Sequence, residues 1–216
     1  MEIKDYSVRE CMHLTNEYLN NGVLNIIYFL SKDVLLEAKD SEELRDCINT
    51  MDVTVLATSD ILSAADIASH GREREIDRNL LLKGLLRKLS KECRKVYIIS
   101  DNQDKLDGLK ETLLKFESGL IFAGGTAYDN NSDTISEDDV VNDINDVIPD
   151  VIFSDLSTPV QERFIKNEKM KINAKLMVAL QDDMLKVSED GTIRGGGLKN
   201  LLSKSIFKSI ADRYNK

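Results

Sequence analysis

The sequence predicts one α/β domain built on a mostly parallel sheet with helices on both faces, and three observations point there. Short apolar runs rich in branched and aromatic residues recur along the chain, such as the run over 23–30. Stretches with apolar residues at three- and four-residue spacing separate them. The runs are apolar throughout instead of alternating with polar residues, as expected of strands covered on both sides. A chain of 216 residues can bury such a core as one domain.

Val8, Cys11, Met12, Leu14 and Leu19 predict a helix over 7–21, closed by the turn Asn20-Asn21-Gly22. The first strand follows over 23–30. Leu35, Leu36, Leu44 and Ile48 predict helix across 33–49, with Ser41-Glu42-Glu43-Leu44 placed to cap a second helical segment. Residues 53–57 read as the second strand and 62–70 as helix. The helix over 80–89 sets its leucines on one face and Lys83, Arg87 and Lys88 on the other. The third strand, 95–100, leads through Asp101-Asn102-Gln103 into a helix over 104–116, and a short strand over 120–123 comes next. Residues 124–136 read as a loop before an acidic helix over 137–147. Pro149-Asp150 introduces a strand over 151–154, 161–169 is helical, and 174–180 is the last strand. This βαβ rhythm belongs to a Rossmann-like, doubly wound sheet. Gly191 and Gly195-Gly196-Gly197 then break the pattern. Beyond them Leu198, Leu202, Ile206 and Ile210 recur every four residues, and Lys199, Lys204, Lys208, Arg213 and Lys216 stand against Asp212 alone. The expected organisation is a Rossmann-like domain over 1–190, then a Gly-rich hinge and a basic amphipathic helix over 191–216.

Composition removes several classes of function. A net charge of -9 argues against a general nucleic-acid binder, which needs a basic face to neutralise phosphates. No apolar stretch approaches the roughly 20 residues of a membrane helix, and MEIKDYSVRE has no apolar signal core, so a cytoplasmic location is expected. Cys11, Cys47 and Cys93 are far apart without C-x-x-C spacing, and read as reduced small hydrophobes. No G-x-G-x-x-G, Walker loop or G-x-S-x-G is present. His13 and His70 fall in helical stretches without metal-ligand spacing, so no zinc site is expected; no metal ligand and no cofactor is assigned, and whether the chemistry needs a metal stays open.

Open α/β sheets bind ligands outside the carboxyl ends of their strands. Four loops there carry carboxylates, amides or hydroxyls: Thr58-Ser59-Asp60, Ser100-Asp101-Asn102, the segment 155–163, and Gln181-Asp182-Asp183. Around the third, Ile148-Pro149-Asp150-Val151-Ile152-Phe153 followed by Pro159-Val160-Gln161-Glu162-Arg163-Phe164-Ile165 resembles a strand and a Pro-Lys-Gln-Glu-Lys-Trp-Ile element of the WecG/TagA/CpsF glycosyltransferases. The resemblance covers almost the whole chain. The segment from Lys39-Asp40-Ser41-Glu42-Glu43-Leu44-Arg45 to Asn49 is similar to the family's helix after its first strand, and Asp60 falls on the Asp of its Pro-Asp-Gly motif. The resemblance implies a UDP-sugar donor and a lipid-linked acceptor at the inner membrane surface. It implies Asp60 as general base, Arg72 at the diphosphate or leaving group, Asp77 on the Asp of a Gly-x-Asp-Leu element, and Gln161 and Glu162 on the sugar or uridine side. The tail resembles the family's basic, membrane-facing appendage. These residue types suit inverting transfer, in which a carboxylate deprotonates the acceptor hydroxyl while a cation absorbs charge on the departing diphosphate.

The chain departs from that pattern at its glycines. Asp60-Ile61-Leu62-Ser63 stands where the family has Asp-Gly-x-Gly, and Ser100-Asp101-Asn102-Gln103 replaces a glycine-bearing loop. Ser157 replaces the Gly before the Pro-Lys-Gln-Glu element, Gln181-Asp182 a Gly-Gly pair, and Ser31-Lys32 an Asn-Pro element. A second expectation follows: a catalytically silent member that serves as a binding or assembly partner. Plain readings stand beside the sharp ones, with Asp60 as a turn or cap residue, Arg72 solvated in Arg72-Glu73-Arg74-Glu75, and Glu162 capping its own helix. The terminal helix suits packing on its own domain, on a partner subunit in a homo-oligomer, or on a membrane.

Overall fold

The computed structural model describes residues 4, 6–64, 69–132, 134–181 and 184. Helix α1 (Val8–Tyr18) opens on a capping box in which the Ser7 side chain accepts from Glu10 N–H and the Glu10 carboxylate accepts from Ser7 N–H. Strand β1 (Asn25–Leu30) is buried at every residue. Ser41 closes α2 (Lys32–Asp40) and caps α3 (Glu42–Ile48), as its Ser-x-x-Leu context predicts. Strand β2 (Val53–Leu56) leads into α4 (Asp60–Ala64), α5 (His70–Asp77) and α6 (Leu80–Lys91). After these come β3 (Lys95–Ser100), α7 (Gln103–Phe116), β4 (Ile121–Ala127), α8 (Glu137–Val147), β5 (Val151–Asp155), α9 (Val160–Glu168) and β6 (Leu176–Ala179).

The six strands are all parallel, in the order β2-β1-β6-β5-β3-β4. Alternate strand residues serve opposite layers. Tyr28, Ile152 and Met177 pack with α2, α3, α8 and α9, whereas Ile27, Phe153 and Val178 pack with α1, α6 and α7. The sheet is therefore Rossmann-like with helices on both faces, and every strand delivers its carboxyl end to the same edge. The opposite edge is fastened by carboxylates. Asp150 accepts from Lys95 N–H at 3.0 Å, Arg94 at 3.1 Å and Lys175 at 2.6 Å, and Asp52 accepts from Ile26 N–H at 2.7 Å and Lys169 at 2.6 Å.

Two elements differ from the sequence reading. Strand β4 continues to Ala127, so Gly124 and Gly125 belong to the sheet and not to a loop. Its parallel pairing with β3 needs only backbone, and Gly124 lies under the Tyr97 ring, where a Cβ would come within 2.8 Å of ring carbon Cε2. The charged run from His70 to Asp77 is a helix of its own, started by the Ser69 side chain on Arg72 N–H, and only part of the helix expected over 62–70 is described as such. Its single buried residue, Ile76, gave no apolar period to read. The hinge and helix expected over 191–216 lie outside the described residues. No described helix is long and apolar enough to cross a membrane.

Candidate functional site

At the carboxyl edge the chain leaves β2 through Thr58-Ser59 and turns at Asp60, the first residue of α4. Asp60 is half-buried. Burial pushes its carboxyl above the ordinary aspartate range, the Lys32 ammonium opposes the shift, and the Asp77 carboxylate adds to it. Lys32 opens α2 directly after β1, the strand beside β2. Asp77 ends α5, and its Oδ1 accepts from Ser59 Oγ at 2.6 Å. Strand ends and one helix end thus gather Lys32, Ser59, Asp60 and Asp77. The arrangement offers a carboxylate of weakened acidity beside a cation, which is what proton removal from a hydroxyl near an anion requires.

A second group lies under α9. Tyr28 projects from β1 and donates its hydroxyl to Glu162 Oε1 at 2.5 Å, and the same hydroxyl accepts from Gln181 Nε2 at 3.2 Å. Thr158 Oγ1 also donates to Glu162 Oε1, at 3.2 Å, while Gln161 Nε2 donates to the Leu180 carbonyl at 2.9 Å. Tyr28, Gln161 and Glu162 are 0 % exposed. Register explains the space they occupy, since Tyr28, Ala179 and Ser154 form one row on the α9 side of the sheet with the small Ala179 in the middle. Glu162 Oε2, Gln161 Oε1 and Ser154 Oγ are buried without a hydrogen-bond partner among the described residues. Burial drives the Glu162 carboxyl up against the bonds from Tyr28 and Thr158, and drives the Tyr28 phenol well above its ordinary range.

The structure places Arg72 elsewhere. Its guanidinium donates to the Glu75 carboxylate and to the Tyr6 carbonyl, tying α5 to the segment before α1, where Glu75 also accepts from Val8 N–H at 3.2 Å. Five residues separate it from Asp77, about 140° around a helix, so the two side chains leave α5 in different directions. Asp60 and Asp77 come together, while the hydrogen bonds described for the Arg72 guanidinium run to Glu75 and Tyr6. Asp182 and Asp183 lie outside the described residues.

A sequence model of the glycosyl transferase WecG/TagA/CpsF family matches residues 1–182. The chain belongs to this family. No curated protein matches it significantly. Membership implies a glycosyltransferase of cell-surface polysaccharide synthesis, a class that works with nucleotide sugars and lipid-linked acceptors.

Several departures from the family's glycines contact one another or the core. Asp101 and Ser157 are hydrogen-bonded to each other, and Gln181 is bonded to Tyr28. Ile61 and Leu62 pack with Leu56 and Ile76 in a small apolar cluster of their own. Two residues escaped assignment from sequence, Lys32 and Tyr28. The strand-end rule that singled out Asp60 applies equally to Lys32, and a tyrosine in a wholly buried strand must find a polar partner for its hydroxyl. Among the described residues no group of three or more His, Cys, Asp or Glu is arranged to hold a metal ion.

Proposed function

We propose that the chain transfers an N-acetylhexosamine-type sugar from a UDP donor to a lipid-linked acceptor in cell-surface polysaccharide or teichoic acid synthesis. The observation that carries this reading is Asp60, a half-buried carboxyl of raised pKa at the carboxyl end of a parallel strand with Lys32 in electrostatic range. Asp60 takes the proton of the acceptor hydroxyl, and the carbon–oxygen bond to the sugar forms as the bond to the diphosphate breaks. Lys32 acts electrostatically on the Asp60 carboxyl, whereas the Arg72 guanidinium donates to Glu75 and Tyr6, so Lys32 is the cation assigned to the departing diphosphate. Asp77 holds Ser59, and Gln161 and Glu162, buried beneath the first turn of α9, support the sugar side of the site from behind. The basic segment 191–216 serves as an appendage beyond the domain at 1–190, attracted to an anionic leaflet at the inner face of the membrane, a protein partner or a second copy.

A silent, partner-binding member is the second reading, favoured by the complete burial of Gln161 and Glu162. Calorimetric titration of UDP and UDP-N-acetylhexosamines into the full chain, beside Asp60→Asn, separates the two. Micromolar to low-millimolar donor binding by both proteins, with transfer lost only in Asp60→Asn, supports the transferase. No binding by folded wild-type protein sinks it and leaves the silent member.

A further inference from the structure

Two segments in which this chain departs from the glycines of the family it resembles, 100–103 and the position of Ser157, meet at the carboxyl edge. Asp101 leaves β3 and Ser157 follows β5, its neighbour in the sheet. Asp101 Oδ1 accepts from Ser157 N–H at 2.8 Å, and Oδ2 accepts from Ser157 Oγ at 2.6 Å and from Lys105 Nζ at 2.7 Å. The Ser157 carbonyl in turn accepts from Gln161 N–H at 3.1 Å. Helix α9 has Pro159 at its N-cap position and no side-chain cap hydrogen bond, so its first turn is held by the core contacts of Gln161 and Glu162 and by the backbone of the loop before it. Ser157 is held on its donor side by β3 and α7, and on its acceptor side it holds the helix.

We propose that Asp101 is a positioning residue for the donor site: through Ser157 it clamps the loop after β5 and sets the first turn of α9, which carries Gln161 and Glu162. The clamp needs both partners, because a glycine at 157 offers the N–H without the hydroxyl, and a glycine at 101 offers no acceptor. Burial alone would raise the Asp101 carboxyl, but the bonds from Lys105 and Ser157 outweigh it and hold it below its ordinary value. The carboxylate therefore stays charged at neutral pH, where hydrogen bonds to it are at their strongest. The donor-binding role rests on the transferase reading above, whereas the clamp itself does not.

The test uses the full chain as wild type, Asp101→Ala, Asp101→Asn and Ser157→Ala, with two readouts. Amide hydrogen exchange needs no ligand. In Asp101→Ala it is expected to speed up at least about tenfold at Ser157 and across the first turn of α9, while amides of β1 and β6 exchange as in wild type. Asp101→Asn keeps one acceptor for Ser157 N–H and recovers part of the protection. In the second readout, UDP affinity falls about tenfold in Asp101→Ala, as expected for losing charge-assisted bonds that hold the wall of a site, with Asp101→Asn and Ser157→Ala between. Unchanged exchange over 157–163, or exchange raised equally everywhere, overturns the clamp. Local loosening with UDP affinity unchanged overturns the positioning role. Wild-type protein that binds no UDP refutes the transferase reading and with it the donor-binding role, and the exchange data still decide the clamp.

Discussion

Removing the Tyr28 hydroxyl measures what the buried network under α9 contributes. In Tyr28→Phe the ring keeps its place between β1 and α9, Glu162 Oε1 keeps only Thr158 at 3.2 Å, and Gln181 Nε2 loses its acceptor. A hydrogen bond to a charged group is worth about 1.5–3 kcal/mol, and the 0 % exposure of both side chains denies water to the orphaned oxygen. The expected loss is therefore about 1.5–3 kcal/mol of a total near 5–15, a fall in Tm of about 3–12 °C for a chain of this size. Glu162→Gln behaves differently with pH. Burial raises the folded pKa of Glu162 above its ordinary 4.5, so between the two values the folded chain holds more protons than the unfolded one. Wild-type stability must then fall as pH rises through that window, and it stays lower above the folded pKa. Glu162→Gln lacks this slope, so it gains on the wild type from pH 4 to pH 8. Urea denaturation followed by far-UV circular dichroism reads these changes, and a double-mutant cycle pairs Tyr28→Phe with Glu162→Ala, because the amide oxygen that Glu162→Gln introduces would still accept from the Tyr28 hydroxyl. Coupling of about 1 kcal/mol or more is expected at pH 4, where both partners are neutral and the bond intact. Coupling below about 0.5 kcal/mol, or a Glu162→Gln gain that does not grow with pH, would refute the reasoning.

At the opposite edge, Asp150→Asn is expected to cost about 1–3 kcal/mol at pH 7, because Lys95 N–H, Arg94 and Lys175 hold the carboxylate below its ordinary 3.8 against the cost of burial. That stability is present above the ordinary 3.8 and is lost as pH falls through the depressed folded value, so urea midpoints of variant and wild type should draw together as pH falls below 3.8. In β4, Gly124→Ala sets a Cβ 2.8 Å from Tyr97 Cε2, and the ring cannot swing away because its hydroxyl is bonded to Thr126 at 2.5 Å. A loss of about 1–3 kcal/mol by thermal melting is expected, and an unchanged midpoint would show that the ring yields.

What could be read from the sequence follows from which physical signal each element carries. Strands buried on both faces announce themselves by apolar runs, which is why β1, β3 and β5 were legible and why their parallel arrangement followed. Strand β4 was cut short because Gly124-Gly125-Thr126-Ala127 holds its place by backbone pairing at a sheet margin, where composition says little. Helix α5 has one buried residue and gave no period. Asp60, Asp77, Gln161 and Glu162 were found because strand ends and a family resemblance both point to them. Where their side chains turn was not legible, since that depends on helix rotation and on partners distant in sequence. Arg72 lies five residues before Asp77 yet bonds the segment ahead of α1, and Glu162 reaches a tyrosine 134 positions away.

The lost glycines have two separable consequences for a nucleotide, and the geometry weighs them differently. A lone carboxylate 8 Å from one charge of a diphosphate would cost about 2 kcal/mol at an effective dielectric constant near 20. Asp101 is not alone, because Lys105 Nζ stands 2.7 Å from its Oδ2 and Ser157 supplies two further donors. Seen from several ångströms away the ion pair is close to neutral, and salt screens what remains over about 8 Å. Gln181 carries no charge at all and spends its amide on Tyr28. At these positions the departures therefore oppose a nucleotide through volume and stiffness, not through repulsion. Volume can be returned by mutation: Gln181→Gly empties the side chain that a glycine in the family would not present, whereas charge reversal at Asp101 would break the clamp while relieving little repulsion. At Asp101, Ser157 and Gln181 the obstacle to a donor is thus one of shape, and Gln181→Gly is expected to raise UDP affinity in calorimetric titration, an unchanged affinity refuting the volume argument.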